Sequence, residues 1–288
     1  MNTPALTRLF TAGSLLAVLF CPSATLGVAT GYEKAWEILD MALAGETSDR
    51  VDAVAALGLI SKDPKGMKLA IAALDDPKPE VRIAACNTLA ALDDRAAIPA
   101  LQRALADKEI TVVTAAAHAL DALKDPSAYD VYYAILTGEV KDGKGLLSKQ
   151  LDTLKDPKQL AQIGFSEGIG FVPFAGMGWD AYRMLHRSDP SPVRAIAASV
   201  LAVDPDPKSA EALVAATHDK NWIVRVAALE ALARRGDPSL IIKVEPAMAD
   251  SRKKVRFTAA AVVIHLSSMK KSHRHFLHRK AAPEPPRE

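Results

Sequence analysis

Four Val-Arg pairs, Val81-Arg82, Val193-Arg194, Val224-Arg225 and Val255-Arg256, each open an alanine-rich stretch, and Val112-Val113 opens a fifth, degenerate copy. The steps from Val81 to Val112, from Val193 to Val224 and from Val224 to Val255 are all 31 residues. A fixed period of this length marks a tandem repeat, whose units are too small to bury their apolar faces alone and must stack on one another.

Aligned, the copies read VRIAACNTLAAL, VVTAAAHALDAL, VRAIAASVLAVD, VRVAALEALARR and VRFTAAAVVIHL. An earlier match with a step of 32 sets Arg50 over Arg82, Ala53 over Ala85, Leu57 over Leu89 and Ile60 over Leu92. Apolar residues at Val81, Ala85, Leu89 and Leu92 fall on one helical face. Upstream of each such helix lies a second apolar run, at 67–74, 98–105, 210–216 and 240–248, so each unit is a helix, a turn and a helix. Asp-Pro pairs beginning at Asp63, Asp76, Asp125, Asp156, Asp189, Asp204, Asp206 and Asp237 punctuate these helices. Asp caps a helix N-terminus, and Pro fits the first helical position because its missing N–H has no partner there anyway.

The register D-x4-V-R-x2-A-A-x3-L-A-x-L, with Asp76, Asp107, Asp219 and Asp250 each five residues before the aligned Val, resembles the HEAT-repeat family. The likeness is to the short HEAT-like repeats of phycobilisome lyase subunits and of many bacterial proteins. It covers residues 32–136 and 188–268, and it implies an all-α fold, a right-handed α-solenoid of antiparallel helix pairs. The resemblance further implies that the Asp caps the second helix of each pair. Arg82, Arg194, Arg225 and Arg256 would then form an inter-repeat ladder.

Arg8 precedes a 12-residue apolar run from Leu9 to Phe20, too short for a helix to cross a hydrocarbon core of about 30 Å but suited to a secretory leader. Small residues at Gly27 and Ala29 follow, so residues 1–29 read as a signal peptide and the protein as periplasmic or secreted. Phe20 before Cys21 does not fit lipid attachment, which needs a small residue there. With Cys21 removed, Cys86 is left as the only thiol, on a repeat helix where a small buried residue is the simplest reading. Residues 270–288 hold six basic and two acidic residues with His273, His275 and His278, and read as a solvated, disordered tail. The body between carries a net charge of −3, which does not favour a nucleic-acid groove.

Val112 and Val193 are 81 residues apart where two periods would give 62. The division expected is therefore repeats over 30–136, an irregular insert over 137–187, and repeats again over 188–269. Within the insert, GFSEGIGFVPFAGMGWDAYRML (164–185) carries five of the chain's 15 glycines, with Phe165, Phe171, Phe174, Trp179 and Tyr182 among them. Glycine allows close backbone approach and aromatics supply contact area. The segment is thus either a partner-binding patch through Phe171, Phe174 and Trp179, or packing that folds back where the register breaks. Its uncharged run, Ile169 to Trp179, is 11 residues, so contact with a membrane surface is the most it could make. Gly168-x-Gly170 lacks the strand and third glycine of a dinucleotide site.

Carriers of chemistry are missing from the sequence: it has no His-Glu dipeptide of the kind that holds a di-iron centre in hydroxylases built from HEAT-like repeats. It has no CxxC, HExxH, GxSxG or GxxxxGK[ST] either. No enzyme activity, cofactor or metal is expected. A solenoid offers a concave surface lined by one helix of each pair. Six residues after each aligned Val stand Asn87, His118, Ser199 and Glu230, and ten after stand Arg234 and His265, polar positions that face either solvent or a partner. The reading is a non-catalytic protein-binding scaffold of the bacterial cell envelope, alternatively an accessory, lyase-type subunit of an enzyme complex or a membrane-associated envelope protein.

Overall fold

A computed structural model of the chain describes residues 30–61, 63–137 and 191–281, all helix and turn. Seven α-helices come first: α1 (Gly31–Leu43), α2 (Thr47–Leu57), α3 (Pro64–Ala72), α4 (Pro79–Ala91), α5 (Ile98–Ala104), α6 (Ile110–Ala122) and α7 (Ser127–Thr137). Five follow: α8 (Ser191–Leu201), α9 (Pro207–Ala216), α10 (Trp222–Arg235), α11 (Ile241–Val244) and α12 (Lys253–Ala281). The aligned copies are α4, α6, α8, α10 and α12, with α2 as the earlier match. The upstream runs are α3, α5, α9 and α11 with their flanking 3-10 turns. We call the aligned helices the B layer and their upstream partners, with α1, the A layer.

Local chemistry places the helix ends. Thr30 and Glu33 form a capping box at the start of α1. Asp63 and Asp206 accept the N–H groups of Lys65 and Lys208 to cap α3 and α9, each with Pro next. Asp237 caps the turn ahead of α11 in the same way. Three B helices end twelve residues after the aligned Val at a residue with left-handed backbone: Asp93 (φ 49°), Lys124 (φ 60°) and Gly236 (φ 63°). The next A helix is thereby turned back over its predecessor. In α12 that position is Ser267, and the helix runs straight on. Residues 270–281, expected to be disordered, are therefore helical, because the first proline beyond Val255 is Pro283 and no residue before it stops the helix.

The two stretches of repeats do not stack in chain order. Helix α12 packs on α10 on one side and on α2 on the other, so residues 191–281 precede residues 30–137 in space. The B layer runs α8, α10, α12, α2, α4, α6, with α7 closing the far end on α6. Lys253 pairs with Asp49 at 2.7 Å and Lys254 with Asp52 at 3.2 Å, so the starts of α12 and α2 lie together. At the other end the Ser61 hydroxyl meets His265 Nδ1 at 3.2 Å and Ser268 reaches Asp63 at 3.4 Å, so the two helices run parallel. The A layer crosses the same seam: α1 lies between Glu245, which crowds Gly31, and α3, to which it is tied by Tyr32–Asp63 (2.8 Å) and Lys65–Asp40 (2.7 Å).

One apolar core therefore runs through both halves. In α12, Val255, Phe257, residues 259–264 and Leu266 are all buried, as befits a helix in the middle of a stack rather than at its end. Alanines such as Ala85, Ala116, Ala228 and Ala260 are fully buried where helices cross and let them approach closely. Cys86 is likewise buried within α4. Residues 138–190 join α7 at one end of the stack to α8 at the other.

Left-handed backbone costs an L-residue about 1 kcal/mol or more. Lys124→Gly should accordingly raise stability by about 0.5–1 kcal/mol in urea unfolding. Gly236→Ala should lower it by about 1 kcal/mol or more, since the new methyl also meets Met269 at 2.9 Å.

Candidate functional site

The side chains the repeat register shares are consumed within the stack. Arg82 Nε and Nη2 donate to Asp107 at 2.7 and 2.8 Å while Nη1 donates to the Asp76 carbonyl at 2.9 Å. Arg225 repeats this with Asp250 (2.7 and 2.9 Å) and the Asp219 carbonyl (2.9 Å). Arg50 repeats it with Asp76 (2.8 and 3.0 Å) and the Gly45 carbonyl (3.0 Å), a rung the sequence alignment placed but the expected ladder omitted. Each guanidinium thus joins its own loop to the loop of the next unit by a two-pronged contact. Arg194 pairs with Asp219 and Ser191 but buries its Nε without a partner, and its side chain is 38% exposed against 6% for Arg82. Arg256 donates to the carbonyls of Asp250 and Ser251.

The ladder aspartates are not the helix caps that the family resemblance implies. The residues at the caps are Lys78, Glu109 and Asn221, and the Asp two positions earlier accepts the backbone N–H of each, at 2.8 Å. An arginine fork and an N–H donor thus share one carboxylate. Burial pushes the Asp76 and Asp250 carboxyls up, but the arginine and the N–H donor together outweigh it and hold both below the usual aspartate range.

With the ladder committed to structure, the polar positions that the repeat register leaves as candidates for a ligand are those on the open side of the B layer. Asn87 on α4 and His118 on α6 are exposed there, on helices otherwise buried on nearly every face. Ser199 on α8 is half-buried and its hydroxyl donates to the Ile196 carbonyl at 2.8 Å. Glu230 on α10 is half-buried by surface area, and desolvation pushes its carboxyl up against the pull of Arg234 and Lys254. In spatial order the column reads Ser199, Glu230, Ala261, Ala55, Asn87, His118. It is two polar pairs parted by alanine, and Ala261 is fully buried. Across the seam, charges alternate from Glu230 to Lys254 to Asp52. Arg234 is exposed beside Glu230, whereas His265 is buried at the seam with Ser61 because α2 covers it. Phe171, Phe174 and Trp179 lie outside the described residues.

Among the described residues no group of three or more His, Cys, Asp or Glu is placed to hold a metal ion, and no helix is long and apolar enough to cross a membrane.

Arg82→Ala should lower stability by about 1–3 kcal/mol, because it strips a charged partner from the Asp107 carboxylate and a donor from the Asp76 carbonyl; chemical denaturation measures it. Arg82→Lys should recover only part of the loss, since an ammonium cannot make the two-pronged contact. Glu230 carries the opposite linkage. Its folded value lies above the ordinary glutamate value, so its ionised form costs stability as pH rises through and beyond that value. Glu230→Gln should therefore raise the melting temperature at pH 7–8, and the gain should vanish near pH 4.

The family model for HEAT repeats matches residues 67–142 and 182–264. A search of curated protein sequences returns no match. Among solved structures, human deoxyhypusine hydroxylase in complex with glycerol is similar at 17% identity, over 84% of this chain and 97% of that one, with a TM-score of 0.32.

Proposed function

Because this chain belongs to the HEAT-repeat family, we propose that it is a non-catalytic scaffold that binds a protein segment along the open side of its B layer. The observation that carries this reading is the exposure of Asn87 and His118 on helices whose remaining faces are buried, while the arginines and aspartates of the repeat register are tied up in the ladder. The polar pair has no visible task within the stack. Ser199 and Glu230 form the second half of the contact surface, beyond the seam.

Two sequence features support the rest of the proposal. The missing His-Glu dipeptides separate this chain from hydroxylases built on similar repeats, so no enzyme activity is assigned. Arg8, the short apolar run and the small residues at Gly27 and Ala29 support export to the bacterial cell envelope.

The test uses protein from the native host. Its intact mass should correspond to loss of residues 1–27 or 1–29, and a product retaining Met1 contradicts export. With a partner captured from envelope extract, Asn87→Arg with His118→Glu should weaken binding at least about tenfold, a loss of about 1.4 kcal/mol, with the melting curve unchanged. Unchanged affinity contradicts the proposed face.

A further inference from the structure

Helix α8 carries an apolar stripe in the open: Val193 is 65% exposed, Ile196 51% and Val200 64%, and Val203 in the turn that follows the helix is 80% exposed. The first three stand zero, three and seven residues into the repeat register, and in other copies those positions are buried. In α4 they are Val81, Ala84 and Thr88 at 1%, 9% and 3% exposure. In α10 they are Val224, Ala227 and Ala231, and in α12 Val255, Thr258 and Val262, at most 5% exposed. The Thr88 hydroxyl donates to the Val54 carbonyl of α2, the helix before α4, so this is the face on which each B helix receives its predecessor. Helix α8 presents the same face without a predecessor among the described residues.

We propose that the occupant of this face is the chain's own residues 138–190. They enter α8 directly, joining it two residues before Val193, so they are tethered to the helix that carries the stripe whatever path they take. They number 53, which is 22 more than one repeat of 31. Six B helices at 8–10 Å spacing make a stack of about 40–50 Å, and 22 extended residues reach about 70 Å, so the connection can run from α7 and still bring a repeat's worth of chain to α8. The uncharged run from Ile169 to Trp179, with Phe171, Phe174 and Trp179, supplies the apolar surface that such a face requires. A tethered segment acts at an effective concentration of the order of millimolar, above that of a second copy at micromolar protein. Of the two roles open to the insert, this assigns it to packing at the end of the stack, not to a partner patch.

The test is a photo-crosslinking benzophenone amino acid placed at Val200 of the full chain, in a mixture of isotopically light and heavy protein. Crosslinks should fall within residues 138–190 and join only chains of like isotope. Mixed-isotope crosslinks would assign the face to a second copy and overturn the proposal. So would crosslinks to residues 1–29 or 271–288, or none at all. As an independent reading, Val200→Asp should lower the melting temperature by several degrees if the face is covered, while an unchanged melting temperature means it is bare and also overturns the proposal.

Discussion

Burial of α12 between α10 and α2 is the contact on which the rest of this molecule depends. It makes one solenoid out of two stretches of repeats separated by 53 residues of connection, and no short loop enforces it. What holds it is apolar: Val255, Val262, Val263, Ile264 and Leu266 are fully buried along the helix. The ion pairs Lys253–Asp49 and Lys254–Asp52 are partly exposed and contribute little energy, but they match the starts of the two helices and so help set their register.

The ladder solves a different problem. Each turn between A and B helices would leave backbone carbonyls and N–H groups short of partners, and in each regular unit one aspartate and one arginine satisfy several at once. The arrangement weakens where the repeat does. At the degenerate copy, Val113 replaces the arginine and is buried with Ile110, Ala117 and Val131 under α7. At α8 the arginine keeps its aspartate but leaves Nε unsatisfied. Rungs are complete at Arg50, Arg82 and Arg225, whereas Arg256 at the seam donates to the carbonyls of its own loop.

Helices and most of their ends were legible in the sequence because capping and periodicity are local: Asp63, Asp206 and Asp237 cap as their sequence context requires. The order of stacking was not, since a 31-residue period states which faces must be covered and not which neighbour covers them. One signal was available. VRFTAAAVVIHL is the most apolar of the five copies, although a last repeat at the end of a stack should show a polar outer face. The same difficulty limited the candidate site. Asn87 and His118 are exposed as their position predicts, but the evenly spaced column becomes two pairs once α12 and α2 stand between them, and His265 is drawn into the seam.

Native-state hydrogen exchange followed residue by residue tests the stacking order most directly. A helix in the middle of a stack opens only when the stack opens, whereas a terminal helix frays alone. The amides of residues 257–266 in α12 should be among the slowest in the protein, matching those of α4 and α10, and those of α8 should exchange faster. Fast exchange in α12 with slow exchange in α2 would mean instead that the two halves do not join at this seam.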